Sequence, residues 1–397
     1  MTFETKRVGD VIDEIAMGPF GSNIKVECFV PSGVPVLNGR NLTGFTLTEE
    51  AFNYVTPEKA ASLKRAVASR GDVVITHRGT LGQIVYIPAD SKHDKYVISQ
   101  SQFRVRCKES VMLPEFMVYF FHSREGQHEL LSNSSQVGVP ALARPSSTFQ
   151  ELKIPVPTIQ EQREIVDTLS AIEDKITNNT KINHHLEQMA QAIFKSWFVD
   201  FEPWDGVKPE DWRKGILSEI ATITMGQSPD GSSYNENGIG TVFYQGRGEF
   251  GSRFPTRRLF TTQPKRMAAK GDVLMSVRAP VGDLNVAYES CCLGRGLAGI
   301  QSNSGCQSFV LYTMFALKQQ LDMFNGEGTV FGSINKNNMA NLPVLIPSGE
   351  LLRQFEELVS PIDDVIEANY TENCNLQAIR DSLLPRLISG EISVTND

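Results

Sequence analysis

QEQREIVDTLSAIEDKITNNTKINHHLEQMAQAIFKSWFVDF, Gln160 to Phe201, contains neither Gly nor Pro. Apolar side chains recur at Ile165, Leu169, Ile172, Ile176, Leu186, Ile193 and Trp197, all on one grid of alternating three- and four-residue steps. That is the a/d seam of a coiled-coil helix. At roughly 1.5 Å per residue the helix runs about 60 Å. Asn179 and Asn183 fill the two seam positions between Ile176 and Leu186. A helix this long cannot bury its seam alone, so it needs a partner.

A second such stretch, Glu350 to Ile388, lies 190 positions further on. Its seam is Phe355, Val359, Ile362, Ile366, Leu376, Leu383 and Leu387, and Asn369 and Asn373 fall where Asn179 and Asn183 fall in the first. Pro361 sits in its first third, where a proline kinks or restarts a helix. Two equivalent helices in one chain can pack antiparallel about a pseudo-two-fold axis. Asn179 then approaches Asn373 and Asn183 approaches Asn369, with paired positions summing to about 550. The same register sets Ile176 near Leu376 and Leu186 near Ile366. The residues expected to pair the helices are therefore Ile172, Ile176, Asn179, Asn183, Leu186, Ile362, Ile366, Asn369, Asn373 and Leu376. The alternative is that each helix packs only on its own globular domain.

The segments between the helices repeat as well. Residues 1–158 carry short apolar runs between turn signals, such as Asp72 to Ile75 before Arg78-Gly79, and read as a mixed domain rich in strand. MGPFGS at Met17–Ser22 answers MGQSPD at Met225–Asp230. RGDVVITHRGTLGQ at 70–83 answers KGDVLMSVRAPVGD at 270–283, 200 positions later. LKIPVPTIQEQR at 152–163 answers LPVLIPSGELLR at 342–353. The expected plan is α+β: a first domain over 1–158, a helix over 159–200, a second domain over 201–348, a helix over 349–390 and a tail over 391–397. The whole is one unit written twice.

Composition is that of an ordinary globular chain of 397 residues, 41% hydrophobic and 21% charged. No apolar run approaches a membrane span, and the N-terminus lacks the apolar core of a signal peptide. Six Cys without metal-ligand spacing suit a reduced, cytoplasmic protein. The net charge of −8 argues superficially against nucleic acid, but residues 160–200 hold −3 of it and 349–397 hold −7. The two domain segments are each +1, with 14 or more Lys and Arg apiece, and could present basic faces.

Taken together, these stretches resemble the specificity subunit family of type I restriction–modification systems. IPVPTIQEQREIV, LEQMAQAIFKSWFVDFEP, the terminal LLPRLISGEI, MGPFGSNIK and the paired GD-hydrophobic-x-x-R segments carry the resemblance, and their order and duplication count for more than any one of them. It covers essentially the whole chain. Leu352 stands where the first repeat has Gln162, a departure that separates the two helix starts. The resemblance implies a DNA-reading subunit without catalysis or cofactor of its own. Each domain would read one half of a split, asymmetric target on double-stranded DNA. The helices would set the spacing and dock two modification subunits, adenine-N6 methyltransferases using S-adenosylmethionine. Two restriction subunits would join for translocation and cleavage.

The residues agree with a lack of catalysis. There is no GxxxxGK[ST] phosphate loop and no Asn/Asp-Pro-Pro-aromatic methyltransferase motif. None of the six His has zinc spacing; His184-His185 reads as a solvated helix face. Base reading needs Arg, Asn, Gln, Ser or Thr on loops, and phosphate anchoring needs Lys, Arg and small hydroxyls. The candidates in the first domain are Ser22, Asn23, Lys25, Arg40, Asn41, Thr76, His77, Arg78, Thr80, Gln100, Gln102 and Arg144. Those in the second are Gln227, Arg247, Arg253, Arg278, Ser333, Asn335, Lys336 and Asn337. Against each stands the alternative that it caps or turns its own backbone. Arg78 and Arg278 could equally pair with Asp72 and Asp272. Trp197, Phe198, Phe201 and Trp204, at the end of the first helix, either pack inward or form a docking patch. Two other functional readings stay open: a coiled-coil scaffold whose domains bind protein partners, and an enzyme with an unrecognised site.

Overall fold

In a computed structural model, residues 3–19, 24–132, 134–135, 139–278, 280–325 and 332–393 are described. The chain forms two compact units that do not follow chain order: Met1–Thr177 with Asn373–Asp397, and Asn178–Glu372. Each unit holds one globular domain and a part of both long helices.

In the first unit a four-stranded antiparallel sheet runs in the order Ile12–Met17, Gln102–Cys107, Asp72–Thr76, Ile84–Tyr86. A second sheet runs Asn53–Val55, Val34–Val36, Lys95–Val97, Val67–Ser69, with the middle two strands parallel. Glu4–Arg7 pairs antiparallel with Lys153–Val156 just before the first long helix. Asp72–Thr76 is buried at every position, so it shows no in/out alternation and reads in sequence as a plain apolar run.

The second unit repeats this plan. Its four-stranded sheet runs Ala221–Met225, Leu297–Ser302, Val273–Val277, Val281–Val286. Its other sheet again has a central parallel pair, Thr241–Tyr244 with Cys291–Leu293, and it gains one short strand, Tyr234–Asn235. Arg213–Ile216 pairs with Pro343–Ile346 before the second long helix. The repeated glycines have a backbone reason. Gly71 and Gly271 have φ of +83° and +88°, and Gly82 and Gly282 have +87° and +88°, a region that costs any side chain with a Cβ. Asp72 and Asp272 close the same turn, accepting from Ser69 N at 2.9 Å and Ala269 N at 2.8 Å.

The long helices span Ile159–Phe198 and Gly349–Ile388, 40 residues each. The second is continuous through Pro361, so this proline does not restart it. The antiparallel pairing is present inside each unit. In the first, Ile165 and Leu169 share a core with Leu384, Leu387 and Ile388 as well as with Phe103, Phe116, Phe120 and Phe149 of the domain. Asn373 Nδ2 donates to Ile176 O at 3.3 Å, and Arg380 bridges to Glu173 at 2.7 Å. In the second, Asn369 Nδ2 donates to Asn183 Oδ1 at 2.8 Å, Asn183 Nδ2 to Ile366 O at 3.0 Å, and Asn179 Nδ2 to Glu372 Oε2 at 2.7 Å. Leu186 and Ile362 pack on the core that buries Ile366. Ile172, Ile176 and Leu376 are half-buried. The helices therefore pack on each other and on the domains at once, so neither of the two sequence readings excludes the other.

The aromatic cluster at the end of the first helix points inward. Phe198, Phe201 and Trp204 surround Trp212, with ring centroids 5.6, 5.8 and 5.0 Å from it, and Trp197 packs on Phe355 at 6.0 Å. These residues seal the core of the second unit, and the docking-patch reading gives way to packing.

Candidate nucleic-acid interface

Main-chain bonds between neighbouring loops stitch the candidate residues of each domain together. In the first domain the loop after Asp72–Thr76 is the hub. His77 N donates to Ser101 O at 2.9 Å, Leu142 N to His77 O at 2.9 Å and Gly79 N to Pro140 O at 2.9 Å. Gln83 joins a further loop, donating to Gly39 O at 3.0 Å while accepting from Thr80 Oγ1 at 2.6 Å. One surface thus gathers the loops that hold Arg40, Arg78, Thr80, Gln100 and Arg144, all exposed. Arg144 adopts a left-handed conformation, φ +45°, immediately before the helix Pro145–Glu151.

The second domain builds the equivalent surface. Val277 N donates to Gly296 O at 2.9 Å, Ile334 N to Val277 O at 3.1 Å and Gly296 N to Gln245 O at 3.3 Å. Arg295 N donates to Ser228 Oγ at 3.3 Å. These contacts bring together Gln227, Arg247, Arg278, Ser333, Asn335, Lys336 and Asn337, which are exposed. An isolated bridge joins Arg278 to Ser333, as one joins Arg78 to Ala141 in the first domain. Each domain thus fastens its arginine loop to the segment that precedes a short helix.

Four candidates are committed elsewhere. Asn41 is fully buried; its Nδ2 donates to Thr48 O and Glu50 O at 2.9 Å each, and its Oδ1 accepts from Asn38 N at 3.0 Å. With both donors and its acceptor occupied, it holds a loop and has nothing left for a base edge. Thr76 and Gln102 are also buried, donating to Gln83 Oε1 at 3.2 Å and accepting from Ser99 N at 2.9 Å respectively. Arg253 is 7% exposed, lies between Glu187 at 2.9 Å and Asp363 at 2.5 Å, and fastens the second domain to both helices. His77 is half-buried with a ring nitrogen 3.1 Å from Gln100 O, and burial lowers its pKa. Lys25 is exposed beside the 3-10 turn Val26–Cys28. Asn335 caps the helix Lys336–Ala340 through Asn338 N, 2.8 Å. Arg247 pairs with Asp283 at 2.7 Å. Ser22 and Asn23 lie outside the described residues.

The alternative partner for the first of the repeated arginines is resolved. Asp72 bonds Arg106 at 2.8 Å and lies 3.5 Å from Arg104; Arg78 reaches into solvent instead. Sequence reasoning passed over Arg295, exposed next to Ser228. Its signal was the flanking Gly294 and Gly296, whose missing Cβ atoms let the backbone of Gln245 approach. Among the described residues no group of His, Cys, Asp and Glu could hold a metal ion, and no helix is long and apolar enough to cross a membrane.

Two domains of one topology, differing in the polar residues they present, match the family described as "Type I restriction modification DNA specificity domain" over residues 2–188 and again over 209–373. The chain belongs to that family. A chain of Methanocaldococcus jannaschii assigned as the MjaX specificity subunit of a type I restriction enzyme is 26% identical over 99% of this chain and 94% of its own length. The HindI specificity subunit of Haemophilus influenzae is 24% identical over 83% of this chain and 88% of its own. The crystal structure of a type I restriction–modification S subunit from M. genitalium covers 98% of this chain and 96% of its own, with a TM-score of 0.62 at 16% identity, a likeness of fold.

Proposed function

We propose that this chain is the non-catalytic, sequence-specific DNA-binding subunit of a type I restriction–modification complex. Each globular domain reads one half of a bipartite, asymmetric target. The observation that carries this is the pair of equivalent loop surfaces: same scaffold, same arginine loop, different donors. Around Arg278 stand Ser333, Asn335, Lys336 and Asn337, and around Arg78 stand Thr80, Gln100 and Arg144. Hydroxyls and amides accept or donate to base edges, whereas Lys and Arg also anchor phosphates.

The long helices set the distance and orientation of the half-sites and dock two methyltransferase subunits; two restriction subunits complete the assembly. Subunits of this kind act with methylase and restriction subunits and bind DNA, so the hydrolytic and methyl-transfer chemistry resides in the partners. Six free cysteines accord with work in the cytoplasm.

Binding of a split-site duplex by the chain with its methyltransferase tests the reading. Log affinity should fall steeply and linearly with log salt, and Arg78→Ala and Arg278→Ala should each reduce affinity about tenfold, roughly one lost charge-assisted contact. Affinity independent of salt and of both arginines would remove these loops from the interface.

A further inference from the structure

In the first unit a cavity of about 150 Å³ opens between the start of the first long helix, Phe3 and the segment that follows the second long helix. Phe3, Ile165 and Ile392 form its apolar wall, and Glu161, Glu164 and Glu391 rim it. A cavity of this volume suits one aromatic ring; an apolar site of about 150 Å³ accepts benzene in another protein.

The internal repeat shows what fills the equivalent place in the second unit. Glu4 pairs with Val156 and Arg213 with Ile346, and Val156 and Ile346 are 190 positions apart, so Phe3 corresponds to Trp212. By the same offset Ile165 corresponds to Phe355 and Glu391 to Phe201. There the place is occupied. Phe201 and Trp204 pack edge-to-face with Trp212 at 5.8 and 5.0 Å, and Phe198 lies 5.1 Å from Phe355. By the same offset Phe201 and Trp204 correspond to Glu391 and Val394, neither of which is aromatic.

The walls differ in charge as well. Glu161 and Glu164 stand where the second unit has Leu351 and Gln354. The segment that plugs the second unit, with Asp200, Glu202 and Asp205, is itself acidic and suits that neutral wall. Glu161 caps Thr158 and Glu391 pairs with Arg386 at 2.9 Å, which still leaves three carboxylates against one guanidinium. An occupant must therefore be aromatic and basic.

We infer that this cavity is a docking site for a partner segment that presents an aromatic side chain flanked by Lys or Arg. It takes the place that Phe201 and Trp204 take in the other repeat. The inference requires neither DNA nor the reading of half-sites, so the two can fail separately.

The probe is a capped Lys-Trp-Lys peptide carrying 5-fluorotryptophan, titrated with the full chain and followed by fluorine NMR. It should bind, and a capped Glu-Trp-Glu peptide should bind about tenfold more weakly, a difference of about 1.4 kcal/mol. Glu164→Lys, on a half-buried helical position, should weaken the basic peptide about tenfold. Ile392→Trp should abolish binding by filling the cavity, with the thermal unfolding of both variants recorded to show that they fold. Equal binding of the two peptides, no binding, or binding indifferent to both variants would overturn the inference. So would binding that emerges only after deletion of residues 394–397, since the chain's own tail would then be the occupant.

Discussion

Arg253 shows how a single side chain can invert a reading. In a Gly-Ser-Arg loop it looks like a nucleic-acid contact, yet its guanidinium is buried between Glu187 and Asp363 and lies 5.8 Å from the Tyr312 ring centre. Asp363 also accepts from Tyr312 and Ser308, each at 2.7 Å. Arg253→Ala should destabilise the second unit by about 3–5 kcal/mol, the cost of leaving buried charge unpaired; calorimetric unfolding reads this, and a loss under 1 kcal/mol would contradict it. Gln162 is the matching case at the start of the first helix. It is fully buried and bonds Leu113 N, Val111 O and Pro157 O at 2.8, 2.8 and 2.9 Å. Gln162→Leu, which copies Leu352 of the other repeat, should cost about 3 kcal/mol because it strands buried polar groups.

His122 ties stability to pH. Its ring is half-buried, bonds Ile84 O at 2.8 Å and packs tilted against Phe45 with centroids 4.3 Å apart. Burial first, and the nearby Arg380 charge, lower its pKa from the ordinary 6.5. Below pH 6.5 the unfolded chain takes up a proton that the folded chain resists, so the unfolded state binds more protons and stability falls as pH falls. Above pH 6.5 the contribution is complete. His122→Gln should flatten the dependence of Tm on pH below 6.5, and an unchanged slope would assign the effect to other groups. None of these roles was legible in sequence. Spacing locates a polar residue on a loop, but whether it turns inward depends on contacts from 40 to 110 residues away, such as Arg253 to Asp363.

At the scale of elements, the long helices were the most legible part of the chain, because a seam is a local, periodic signal. The strands were legible as runs, but the sheet order was not, since Ile12–Met17 pairs with Gln102–Cys107 across some ninety residues. The polar seam positions proved to be hydrogen-bonded between helices, as Asn183 with Asn369 shows. Asn369→Leu alone should cost about 1–3 kcal/mol by leaving Asn183 short of a donor. Asn183→Leu with Asn369→Leu should cost less than the sum of the single changes. A double-mutant cycle in chemical denaturation checks this; strict additivity would show that the bond does not couple the helices.

At the scale of the whole molecule, the repeat gives two equivalent loop surfaces and two helices from one plan, and the family to which the chain belongs is one of DNA specificity domains. The surfaces were legible only as a set of loops: Arg78, Arg278, Ser333, Asn335, Lys336 and Asn337 stand exposed on them, while Asn41, Thr76, Gln102 and Arg253 turn inward. If the helices act as a ruler, removing one turn from each at equivalent positions should change the spacer between half-sites and leave both half-sites intact. The central claim, one domain for one half-site, is tested most directly by mapping methylated adenines in a genome that expresses this chain with its methyltransferase. The same map is then made after replacing residues 1–158 with the first domain of another family member. The account predicts a split motif in which the replacement changes one half only; a motif altered in both halves, or in neither, would contradict it.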